Sequence, residues 1–213
     1  MTHDGRRRKV PYDSQEAIAH LKSRDPRLGT LIDRVGVFGL RLDSSPSPFE
    51  SLLESILYQQ LNGKAAATIH GRVREIYSGD PAPKALIDTP DERLRAAGVS
   101  GNKAKALKDL AAKTLDGTVP TMRALRRMED DAIVERLTSI RGIGRWTVEM
   151  LLIFRLGRPD VLPIDDYGVR KGLMRVLGLK ELPTRAELAE RGERWRPYRS
   201  AASWYLWRAC ELP

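Results

Sequence analysis

A single cysteine, Cys210, stands in a chain of 213 residues. That excludes an internal disulfide, and it excludes a four-cysteine zinc or iron–sulfur site. The three histidines, His3, His20 and His70, are scattered without ligand spacing and receive no metal role. No apolar run approaches the roughly 20 residues that span a bilayer, so no membrane partner is expected. The N-terminal stretch MTHDGRRRKVPYD carries basic residues but no apolar segment after them, which argues against a secretory signal and for a cytoplasmic protein. Alternating strand patterns are also missing; Phe38–Leu42 is the best candidate and a weak one.

What the sequence does have is positive charge and helical period. Lys and Arg number 37 against 28 Asp and Glu, a net charge of +9. An excess of this size points to a polyanionic partner, nucleic acid first, with a basic protein lacking any anionic partner as the alternative. Hydrophobic residues at 41% and charged residues at 31% make a globular composition. Residues 1–13 read as a mobile basic arm and residues 14–213 as one helical domain. Helices are expected over Ser14–Arg24, capped by Ser14, then Arg27–Gly36 and Phe49–Leu61, the last broken by Asn62-Gly63. Lys64–Gly79, Thr89–Gly98 and Asn102–Gly117 follow, with further helices to the end of the chain. The fold class is all-α.

The most informative stretch, residues 130–155, is DDAIVERLTSIRGIGRWTVEMLLIFR. Two helical patterns flank Ile140-Arg141-Gly142-Ile143-Gly144. The two glycines permit a tight turn and close approach of the backbone to another molecule. The amides after Gly144 open a helix, which makes an anion site suited to phosphate. Leu137, Ile140 and Ile143 are the apolar contacts expected to hold the hairpin. An ordinary αα-hairpin with a glycine turn is the alternative.

A second signal follows in LPIDDYGVRKG. Asp165 and Asp166 precede a helix, where carboxylates are favourable. A cap needs only one of them. Adjacent helical residues point about 100° apart, so the other acid is available to face outward.

Leu137 to Gly144 match the L-x-x-I-x-G-I-G pattern, so the stretch resembles the helix–hairpin–helix motif of DNA-binding proteins. That resemblance implies DNA phosphate contacts at Gly142, Ile143, Gly144 and Arg145. It also implies a sodium or potassium ion on the main-chain carbonyls of Thr138, Ile140 and Gly142. GIGRWT followed by PxDDY resembles the AlkA-type branch, 3-methyladenine DNA glycosylase II, of the helix–hairpin–helix glycosylases. In that branch the second Asp of DDY is catalytic, which falls on Asp166 and leaves Asp165 as structural.

Three further segments carry the same likeness. SILYQQLNGKAAATIHGRV resembles the branch's minor-groove segment, placing Gln59, Gln60 and Leu61 at DNA, with Gln60 and Leu61 the candidates to fill the gap left in the base stack. LRAAGVSGNKAKALKDLA resembles a segment in which Lys103 meets DNA, with a solvated lysine face as the alternative. RPYRSAASWYLWRA resembles the branch's C-terminal helix, with Tyr198 in place of a Trp. Trp146, Met150 and Trp207 are implied to line the base pocket, and Trp204 is better suited to the core.

Two departures matter. Arg141 replaces the common Pro before GIG, and the chain is too short for the β-rich domain of longer members. The resemblance implies two helical subdomains with the active-site cleft between them. It implies a monomer that works on double-stranded DNA containing damaged bases at the nucleoid, with no cofactor for chemistry. The lysine that lyase-competent relatives use stands where this chain has Trp146, so base release without strand cleavage is expected. A non-catalytic DNA-binding protein and a glycosylase for other lesions stay open.

Overall fold

The computed structural model describes residues 8–43 and 47–212. The chain divides into two compact units, a continuous one over Ser45–Val148 and a split one made of Met1–Ser44 and Glu149–Pro213. The chain passes from one to the other inside the helix Arg145–Leu151.

The continuous unit is helical throughout its described residues. Its long helix Gly101–Leu115 starts at Ser100, whose hydroxyl accepts the Lys103 amide. Ala104, Leu107, Leu110 and Ala111 form its buried stripe at helical spacing. That stripe packs on Pro48–Tyr58, Pro83–Asp88 and Asp91–Ala96. Leu52, Leu53, Ile56, Leu57, Leu86 and Leu94 fill the space from the other side, each 2% exposed or less. Asn62 does more than break a helix. Its side chain accepts the Ala65 amide and starts the next helix, Gly63–Ile76.

The split unit packs helices Ser14–Arg24, Pro26–Val35, Tyr167–Leu177, Arg185–Gly192 and Arg199–Ala209 around buried Trp195 and Tyr205. Trp195 donates its indole N–H to Asp25 (3.0 Å), and Arg191 grips the same carboxylate at 2.9 and 2.7 Å. That arrangement pairs an otherwise costly buried charge.

Several expectations are corrected. The described part of the basic arm lies against the fold: Arg8–Lys9 pairs antiparallel with Arg41–Leu42, and the Tyr12 ring lies beside Phe38 and Tyr198. Residues 1–7 lie outside the described residues. The weak strand signal at Phe38–Leu42 is real only in its last two residues. Asp13, not Ser14, caps the first helix, because its carboxylate reaches the amides of both Gln15 and Glu16. Thr89 ends the helix Pro83–Asp88 as its C-cap, its hydroxyl donating back to Ala85 O, and Asp91–Ala96 starts at Pro90 without a side-chain cap. The helices Pro83–Asp88 and Met122–Leu125 are too short to show a period and were not foreseen. The fully buried tryptophan is Trp195, while Trp204 is half-buried with its ring edge against Phe38.

Candidate functional site

In the continuous unit the helix Asp130–Thr138 ends in the glycine turn. Leu137, Ile140 and Ile143 are buried as expected, at 0%, 1% and 4% exposure. The turn closes on itself, with the Ile140 amide donating to Leu137 O (3.1 Å) and the Ile143 amide to Ile140 O (3.0 Å). Gly142 sits at φ +78°, and a Cβ there would meet the Ala106 Cβ at 3.2 Å. The turn therefore needs glycine twice over, for its torsion and for its contact with the long helix. A Cβ on Gly144 would meet nothing within 4 Å, so this backbone faces open space. Arg141, Gly142, Gly144 and Arg145 are exposed. The helix Arg145–Leu151 opens directly on this exposed stretch.

The residues expected to meet DNA behind the hairpin behave differently. Gln59 turns inward, its Nε2 donating to Gly142 O at 2.8 Å. Lys103 also turns inward, donating from Nζ to Leu57 O (2.7 Å) and Gln59 O (2.8 Å). For Lys103 the physical cause is the helix end at Tyr58, which leaves carbonyls needing donors. Burial lowers the Lys103 pKa from its ordinary value. Lys103 thus braces the end of that helix from the long helix, with its side chain half-buried. Gln60 and Leu61 remain exposed, and Gln60 adopts a left-handed φ of +56° that non-glycine residues rarely take.

The cation expected at the hairpin would rest on Thr138, Ile140 and Gly142 carbonyls. Ile140 O and Gly142 O already accept one hydrogen bond each, from the Ile143 amide and from Gln59. A carbonyl oxygen has two lone pairs, so the set fits an ion through the second. Among the described residues no group of three His, Cys, Asp or Glu could hold a metal.

In the split unit Asp166 is the N-cap of helix Tyr167–Leu177. Its Oδ1 accepts the Val169 amide at 2.8 Å and the Trp207 indole N–H at 2.8 Å. One Asp caps and the other is exposed, but the cap is the same residue that the resemblance names as catalytic. Asp166 is the cap, while exposed Asp165 pairs with Arg185. Trp207 is half-buried and stacks on Phe154, ring centroids 5.6 Å apart and 28° from parallel. Phe154 lies in Leu152–Leu156, where the helix after the hairpin widens to a π turn, a form often found at functional sites.

Gly168 makes the indole contact geometrically possible. A Cβ there would stand 2.8 Å from Trp207 Cδ1 and 3.1 Å from Asp166 Oδ1. Cys210 Sγ donates to Gly168 O at 3.4 Å, as a packed thiol would. Phe154 and Gly168 were not foreseen, because neither carries a local sequence signal. Of the other residues expected at a base pocket, Trp146 is 45% exposed and Met150 is half-buried. No described helix is long and apolar enough to cross a membrane.

Comparison with known proteins places this geometry in a family. Residues 53–197 match the family described as HhH-GPD superfamily base excision DNA repair protein. DNA-3-methyladenine glycosylase 1 of Schizosaccharomyces pombe is 38% identical over 200 residues, covering 92% of this chain and 88% of that one. The structure of 3-methyladenine DNA glycosylase (Mag1) from that yeast in complex with abasic DNA superposes with a TM-score of 0.84 over 92% of this chain and 97% of that one, at 38% identity. A DNA-3-methyladenine glycosidase from Bacillus halodurans superposes with a TM-score of 0.83, at 35% identity over 94% of this chain and 91% of that one.

Proposed function

The chain belongs to the HhH-GPD superfamily of base excision DNA repair proteins, and we propose that it is a monofunctional glycosylase releasing alkylated purines of the 3-methyladenine and 7-methylguanine type from duplex DNA. The observation that carries this reading is the single carboxylate oxygen of Asp166, held by the Val169 amide and the Trp207 indole.

A base within a duplex is unreachable at its glycosidic bond, so the nucleotide must swing out at a cost of a few kcal/mol. Hairpin amides at Gly144 to Trp146 take backbone phosphate without reading sequence. Gln60 and Leu61, exposed on a strained turn, are the side chains available to fill the vacated stack. An N-alkylated purine is already cationic and leaves well, so it needs no strong general acid. It needs an anion against the charge growing on the sugar, or a base for the attacking water. The Asp166 carboxylate supplies either. The Val169 amide and the Trp207 indole orient it before the substrate arrives, which removes reorganisation from the reaction. The electron-rich faces of Trp146 and Trp207 suit a cationic purine.

No covalent step is assigned to the protein. An amine at the position of Trp146 would be required for a Schiff base, and an indole forms none. Main-chain carbonyls of Thr138, Ile140 and Gly142 would hold a monovalent cation, which would add positive charge beside the bound phosphate. The protein acts as a monomer at cytoplasmic, nucleoid DNA on this reading. The test is incubation with methylated duplex DNA, with freed bases and strand breaks scored separately. Released 3-methyladenine and sites that break only in alkali are expected. DNA binding with no base released from this or any other lesion would overturn it.

A further inference from the structure

We infer that Gln59, Lys103 and Asp109 are positioning residues, which lock the exposed Gln60–Leu61 turn and the hairpin into one piece within the continuous unit. The inference rests on the DNA glycosylase reading above and assigns these side chains a task inside the protein.

The long helix Gly101–Leu115 presents Lys103, Ala106, Asp109 and Lys113 at spacings of three to four residues, hence along one face. Each touches the turn or the hairpin. Lys103 holds the carbonyls of Leu57 and Gln59 at 2.7 and 2.8 Å. Ala106 meets the space beside Gly142, 3.2 Å from where a Cβ would stand. Asp109 Oδ2 accepts the Arg141 amide at 2.7 Å and Lys113 Nζ at 3.0 Å. Lys113 also donates to Ser139 O. Gln59 then closes the frame directly, from turn to hairpin, through its 2.8 Å bond to Gly142 O.

The strain shows what the frame is for. A φ of +56° at Gln60 persists only where its surroundings over-determine it. The hydrogen bonds on its neighbour Gln59, at both the carbonyl and the side-chain amide, do so. The turn cannot relax without breaking bonds to the long helix and to the hairpin. Phosphate grip and stack-filling residues consequently engage DNA in a fixed register, and the frame favours DNA in which a base is already missing or extruded. Lys113 and Asp109 compensate each other's charge.

Binding to two fluorescent duplexes tests this, one undamaged and one with an abasic-site analogue, for wild type, Gln59→Met, a blunted turn (Gln60→Ala with Leu61→Ala) and the combination. Met keeps the length of Gln and removes the donor. A lost hydrogen bond of ordinary net strength should lower the preference for the abasic duplex about fivefold in Gln59→Met. The combined variant should then fall no further than the blunted turn, because Gln59 acts through that turn. Multiplying losses would mean that Gln59 touches DNA itself, and an unchanged Gln59→Met would mean the bond positions nothing; either overturns the inference. Asp109→Ala removes the acceptor of the Arg141 amide, breaks the frame from the other side and should lower the same preference, which keeps the inference testable if Gln59→Met melts early. Wild type with no preference for the abasic duplex would instead count against the glycosylase reading.

Discussion

The hairpin of the continuous unit and the carboxylate of the split unit are built in opposite ways. The hairpin works with main-chain groups contributed by consecutive residues, and its side chains Leu137, Ile140 and Ile143 only hold the turn. The carboxylate site works with side chains from Phe154, Asp166 and Trp207, spread over more than fifty positions and kept together by a small residue, Gly168. A main-chain site tolerates most changes of side chain and fails when a torsion is lost. A side-chain site fails when one atom is replaced. The first is suited to holding a repeating phosphate, the second to acting on one bond.

This contrast sets the expected effects. Asp166→Asn keeps an oxygen for both Val169 and Trp207, so the fold should survive. Base release should drop by about two to three orders of magnitude with affinity for DNA unchanged. Gly168→Ala forces the indole away from the carboxylate. Single-turnover rates should fall about a hundredfold, with overpacking costing about 1–3 kcal/mol in a denaturant titration. Trp207→Phe keeps the ring against Phe154 and loses the donor to Asp166. A hydrogen bond to a charged group is worth about 1.5–3 kcal/mol, so at least about a tenfold loss of rate is expected.

Gly142→Ala should act on the other side of the comparison. Left-handed torsion costs about 1–2 kcal/mol for alanine. Affinity for undamaged duplex should weaken by about tenfold, while base release at saturating protein stays near wild type. The smallest effect concerns acid. Burial lowers the His70 pKa from its ordinary value. The unfolded chain therefore takes up that proton first as pH falls, and stability should decline from pH 6.5 downward. His70→Asn should flatten that part of a melting profile measured against pH, without touching rate at neutral pH.

Legibility followed the same division. The hairpin is readable because its determinants are contiguous: a glycine spacing, two helical periods and three apolar positions. Asp166 is readable as a residue, from its place at a helix start, but its bond to Trp207 is a contact over 41 positions that no local pattern encodes. Lys103 and Gln59 looked like DNA contacts because basic and amide side chains in a basic protein usually face outward. Lys103 is drawn to the end of a helix at Tyr58, whose carbonyls lie 44 and 46 positions away, and Gln59 to the Gly142 carbonyl 83 positions away. The basic arm misled for a similar reason. Its composition is that of a solvated tail, yet Arg8 and Lys9 find a strand partner at Arg41 and Leu42.

The most direct test measures base release at saturating protein and affinity for duplex DNA side by side, for Asp166→Asn and Gly142→Ala. The account expects a crossed result: Asp166→Asn loses rate and keeps affinity, and Gly142→Ala loses affinity and keeps rate. Asp166→Asn releasing 3-methyladenine at the wild-type rate would contradict it, because no other carboxylate has been given the work.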